Sequence, residues 1–123
     1  MQYLLLIYAD EKAHAARLLG DPAAMQAEMA EYYAFGDAAR KAGVLRAGEA
    51  LHMTDQALTV RVRGGQTLKT HGPFAETKEQ LGGYYLVECA NLDQAIEWAA
   101  RLPGARDGSV EIRPVVDFSQ AGD

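Results

Sequence analysis

Two short runs, "LLLI" at residues 4–7 and "YYLV" at 84–87, constrain this chain more than anything else in it. Each is apolar at successive positions and too short to be a helix, so each reads as a strand. Neighbouring side chains on a strand point to opposite faces, and both faces of these strands must therefore be kept from water. A lone sheet roofed on one side does not meet that demand.

The surrounding segments say what roofs it. "QYLLLIY" is the first strand, and "ADEKAHAARLLG" a polar connection with room for a helical turn, in which His14 is expected to be solvated. "DPAAMQAEMAEYYAFGDAARKAG" predicts a long helix. Asp21 caps it, Pro22 suits its first position, Met25, Met29, Tyr32, Tyr33 and Ala39 recur at helical spacing, and Gly43 ends it. "VLRAGEAL" is a second strand, and "ALTVRVRGGQTLKT" a hairpin turning at Gly64-Gly65. "GGYYLVECA" is the next strand, its glycines marking a bulge or a close-packing point. "NLDQAIEWAARLPG" is a helix with Asn91 as cap, Gln94 reaching back, and Leu92, Ala95, Ile96 and Ala99 facing inward. "SVEIRPVVDF" is the last strand and "SQAGD" a frayed tail.

Removing the hairpin leaves βαββαβ, an α+β, ferredoxin-like plan in one domain spanning residues 1–123. Its two helices cover one face of the sheet. A second copy of the chain is the simplest cover for the other, which predicts a homodimer in the form of a dimeric α+β barrel.

Charge and composition exclude several classes. A formal net charge of −5 leaves no electrostatic footprint for nucleic acid. A local excess of cations, Arg61, Arg63, Lys69 and Lys78 against Glu76, reads as a solvated strand edge or as an anion contact. No apolar run approaches the roughly 20 residues of a membrane helix, and the N-terminus lacks the grammar of a signal peptide. The single cysteine, Cys89, falls in an apolar strand, which reads as a buried inert thiol and fits a cytoplasmic protein.

The least ordinary stretch is "THGPFAETKEQLGGYYLVE", residues 70–88. Gly72-Pro73 reads as a turn, Phe74 as a plug beneath it, and "AETKEQL" as a possible single helical turn. His71 is the natural proton carrier at neutral pH, with a turn residue capping a backbone group as the plainer alternative. Glu76 offers an acceptor or proton carrier and Lys78 an anion contact. Glu49, sharing a strand face with Ala47 and Leu51, needs a partner or a wet cavity, and Gly48 beside it permits the close approach of another group. Tyr33 and Tyr85 carry hydroxyls toward the same space, unless they are simply core rings. His14, His52 and His71 have no metal-type spacing, and no phosphate loop or dinucleotide fingerprint occurs, so neither metal nor cofactor is expected.

With these residues laid out, the chain resembles the YCII-related superfamily, in particular its DGPF-domain branch. "YLLLIY", "AGVLRAGEAL", the long block "TVRVRGGQTLKTHGPFAETKEQLGGYYLVE" and "VEIRPV" carry the resemblance over nearly the whole length. It implies a dimeric α+β barrel of ferredoxin-like units. Two positions depart from the pattern. His71 stands where the branch motif has Asp, and the long helix shows Glu31, Tyr32 and Tyr33 where some superfamily members carry the His of a His–Asp acid–base pair. That pair is therefore not carried over. The titratable cluster and the resemblance together leave two functional expectations. One is a pocket between sheet and first helix, lined by Glu49, His71, Glu76, Lys78 and tyrosines, binding a small polar or anionic metabolite with lyase, isomerase or hydrolase-type chemistry. The other is a non-catalytic ligand-binding or regulatory module associated with sigma-factor-dependent transcription. A filled scaffold without any cavity is the plainest reading of all.

Overall fold

The structure, a computed structural model, describes residues 1–121. Strands β1 (Gln2–Ala9), β2 (Leu45–Ala50), β5 (Gln80–Glu88) and β6 (Ser109–Pro114) form an antiparallel sheet in the order β2-β5-β1-β6. Strands β3 (Leu58–Arg63) and β4 (Gln66–His71) pair separately as a hairpin inserted between β2 and β5. The order is that of a ferredoxin-like fold, as expected. The four-stranded sheet is open, with β2 and β6 at its edges, and does not close into a barrel by itself.

Register explains how the two greasy runs are used. Tyr3, Leu5 and Ile7 of β1 are buried and lie beside Val87, Tyr85 and Gly83 of β5. This is the face on which the helices pack, joined by Phe35 and Ala39 from α2 (Pro22–Lys41) and by Trp98 and Leu102 from α3 (Leu92–Ala100) and its end. The alternate residues Leu4 and Leu6, opposite Leu86 and Tyr84, form the other face and are only half-buried. A bulge at Gly82, between the pairs Ile7–Gly83 and Tyr8–Leu81, bends β5 where the glycines predicted an irregularity.

The caps follow sequence grammar. The Asp21 carboxylate accepts from Ala24 N–H at 3.1 Å, Asn91 accepts from Gln94 N–H at 2.9 Å, and Gln94 reaches back to Ala90 N–H at 2.6 Å. Gly64 and Gly65 turn the hairpin at φ 56° and 77°, a left-handed pair that suits the right-handed twist of its strands.

Five expectations need correction. The polar connection after β1 is a full eight-residue helix, α1 (Glu11–Leu18), capped by Asp10, which accepts from Lys12 and Ala13 N–H. Only Leu18 of it is buried, so its sequence has no apolar stripe to announce it. Helix α3 buries Ala95, Trp98 and Ala99, while Leu92 and Ile96 are about half-exposed. The two alanines let the helix settle close to the sheet, and Trp98 meets Phe35 edge-on, with centroids 5.9 Å apart. "AETKEQL" makes no helical turn, since Gln80 is already in β5. Phe74 is 80% exposed and plugs nothing. At the tail, Phe118–Ala121 form a short helix, α5, and the expected fraying otherwise concerns Gly122 and Asp123, which lie outside the described residues. Helix α4 (Gly104–Asp107) is a single turn between α3 and β6. No described helix is long and apolar enough to cross a membrane.

Candidate functional site

A cavity of about 620 Å³ lies between the sheet and the pair α1–α2. Two glycines on the helix face, Gly48 of β2 and Gly83 of β5, leave the sheet without side chains there, and α1 and α2 bridge the gap. Its walls are mainly apolar, from Leu18, Met25, Met29, Leu51 and Met53. Methionines adapt their shape readily and are common in surfaces that accept varied ligands.

The polar groups of the wall are organised around Glu28. Its side chain is only 14% exposed and its two oxygens are both engaged, one with His14 Nε2 at 2.9 Å and the other with Arg17 Nη2 at 3.1 Å. Arg17 also reaches Asp107 at 3.3 Å, tying α1 to α4. With Nε2–H donated to the carboxylate, the ring is oriented and Nδ1 is left to accept a proton. His14 and Leu18 are four residues apart on α1 and so share a face, and the buried Leu18 fixes that face toward the cavity.

A second set of contacts holds α1 in place as a roof. The Glu11 carboxylate accepts from Thr54 N–H and Thr54 Oγ1, both at 2.7 Å, and Glu11 N–H donates to the Gln80 side chain at 3.0 Å. The helix is thereby fastened to the chain just before β3 and to the start of β5.

Tyr32 closes the inner end. Burial first, and then the nearby Glu28 charge, push its phenol up to about 12 from 10.0. Burial also pushes the Tyr85 phenol up, with Arg40 working against it. Between pH 10 and about 12 the unfolded chain gives up a proton that folded Tyr32 keeps, so the stabilisation is full below pH 10 and is lost as pH rises through that window. Urea denaturation across it should show stability falling, and Tyr32→Phe should flatten the fall by about 1–2 kcal/mol.

The residues expected from the sequence divide into two groups. Tyr85 forms part of the cavity wall, half-buried against Phe35 with centroids 4.8 Å apart, and Tyr33 stands at the rim, 66% exposed. Glu49 is among the residues lining the cavity, as expected, although strand register pairs it with Tyr84, while Gly48 pairs with Tyr85 on the helix face. Leu51, expected on the same side as Glu49, also lines the cavity. Gly48 does admit a close neighbour: a Cβ there would lie 2.6 Å from the Tyr85 ring. His71 ends β4 opposite Leu58, and Glu76 and Lys78 lie on the connection to β5; all three are exposed and none lines the cavity. Sequence reasoning missed Glu11, Glu28 and Tyr32 as site residues, and His14 is paired and half-buried rather than solvated. Asp10 as a cap, with His14 and Leu18 one turn apart behind it, was the available signal. Cys89 is buried, and burial raises its thiol pKa, as an inert core residue requires. Among the described residues no group of three or more His, Cys, Asp or Glu is placed to hold a metal.

Fold and site together define an α+β domain of ferredoxin-like strand order with a cavity under its first helices. The chain belongs to the YCII-related domain family, whose profile matches residues 1–119. It is also 39% identical over 124 residues to an uncharacterised protein of Rhizobium meliloti (strain 1021), an alignment covering 94% of this chain and 92% of that relative.

Proposed function

We propose that this YCII-related protein binds a small molecule in the α1–α2 cavity and performs acid–base chemistry on it, of lyase, isomerase or hydrolase type. His14 is the proton carrier and Glu28 its orienting partner. The observation that carries this reading is the 2.9 Å His14–Glu28 contact on the wall of a cavity large enough for a metabolite. The resemblance left the long helix without a histidine for a His–carboxylate pair; here the shorter α1 brings one to a carboxylate of α2. Tyr32 and Tyr85 supply neutral hydroxyls beside that pair. His71, Glu76 and Lys78 take no part in this chemistry, because they stand outside the cavity.

Two further elements belong to the same proposal. The motif "HGPF" supports a place in the DGPF branch, and the half-buried Leu4, Leu6, Tyr84 and Leu86 support a homodimer formed through the second sheet face. The lone buried Cys89 supports a cytoplasmic location.

A thermal-shift screen of metabolites, followed by turnover assays on each hit, tests the chemistry. His14→Asn should lower turnover of a productive hit by about 10²–10⁴-fold, with its binding changed only a few-fold. Glu28→Gln should lower turnover less, since the imidazole remains but is poorly oriented. A hit that is bound and never turned over would replace this reading by the regulatory module.

A further inference from the structure

We infer that the α1–α2 cavity selects an apolar molecule bearing a neutral or cationic head, such as a small hydrophobic amine, and rejects its carboxylate counterpart. The inference rests on the cavity being the ligand site and adds the sign of the charge it accepts.

The walls set the apolar body, as described. The charge follows from which ionisable groups face the space. Glu11, Glu28, Glu49 and Asp107 line the cavity together with His14 and His52, and neither lysine nor arginine does among the described residues. The guanidinium of Arg17, behind the α1 side of the wall, is shared between Glu28 and Asp107. Among the described residues, the Glu11 carboxylate is held by the neutral donors of Thr54. The balance at the wall is therefore negative with the histidines neutral, and in a cavity of low dielectric such an imbalance acts more strongly than in water. A carboxylate would have to leave water for a site holding like charges and no cation of its own. The cation that suggested an anionic ligand, Lys78, lies elsewhere on the surface. An adjoining pocket of about 400 Å³, sharing Tyr32, Tyr33, Gly48 and Tyr85 with the cavity, holds Arg40 and Arg46 and is where an anion would be drawn.

Isothermal titration calorimetry with phenethylamine, phenethyl alcohol and phenylacetate, which share an aromatic body and differ in the head, tests the inference. The amine should bind at least about tenfold more tightly than phenylacetate, with the alcohol between them. Two substitutions should move the amine in opposite directions. Glu28→Gln should weaken it about tenfold, and Arg17→Met, which removes the neighbouring cation, should strengthen it several-fold. A variant that merely loosened the fold would not bind better, so the second substitution separates charge from damage. Phenylacetate binding as tightly as the amine, or losing its binding on Arg40→Met, would overturn the charge assignment and leave the cavity as the ligand site. Failure of all three probes to bind would overturn both.

Discussion

Replacing Gly108 by alanine is expected to remove about 3 kcal/mol or more of stability, enough to lower the melting temperature by roughly 10 °C. A Cβ at this position would lie 2.1 Å from the Tyr8 carbonyl oxygen and 3.1 Å from Ala9 Cα. Both parties are backbone and neither is free to move. Tyr8 is held between Leu81 of β5 and Ser109 of β6, and Gly108 donates its N–H to Gly104 O at 2.8 Å. The collision therefore has to be relieved by pulling β6 away from the central strand. Gly48→Ala is the informative contrast. Its Cβ meets the Tyr85 ring, which can swing, at 2.6 Å, and the Tyr84 carbonyl oxygen less severely at 3.2 Å. That variant should lose about 1–2 kcal/mol, and because the displaced ring belongs to the cavity wall it should also weaken ligand binding. Chemical denaturation of the two variants side by side decides the matter; equal losses would mean that the β1–β6 junction yields more easily than its pairing indicates.

The second large effect concerns assembly. Leu6→Asp is expected to convert the proposed homodimer to monomers, so that sedimentation at micromolar concentration reports 13.3 kDa where the parent protein reports twice that mass. Leu6 lies on the central strand, cross-strand from Tyr84 on one side and Glu111 on the other. An aspartate there places one carboxylate beside another, and in a dimer across a two-fold axis it does so twice. Burying unpaired carboxylates is unfavourable by several kcal/mol each, whereas in a monomer the same side chain stays in water. Circular dichroism should therefore show the fold retained while the mass halves. Parent protein sedimenting at 13.3 kDa would remove the dimer from the proposed function without touching the cavity.

The sequence carried the architecture well and the site poorly, for one physical reason. Strand runs, caps and the Gly64-Gly65 turn are local signals: Asp21, Asn91 and the apolar doublets act within a few residues of themselves, and each was legible. The site depends on where a short polar helix comes to rest. Helix α1 has one buried residue, so nothing in its apolar pattern separates it from a loop, and His14 could not be placed against Glu28, fourteen positions later, until α1 had a roof to form. The motif around His71 lies away from this cavity. A dense patch of titratable groups suggested chemistry, but its strands form a hairpin with no core of its own, where Leu58, Val60 and Val62 are each at least half-exposed. Leu92 and Ile96 show the same limit on a smaller scale, because helical spacing identifies a stripe without telling which part of it the neighbouring sheet will reach.

The two anchorages of α1 have a mechanical consequence. Thr54 sits at the outgoing root of the β3–β4 arm and Gln80 at its returning root, and Glu11 grips both. Lifting the lid over the cavity far enough to let a guest pass must either release those grips or drag both roots along. The lid and the two roots of the arm are thus fastened at one residue, Glu11.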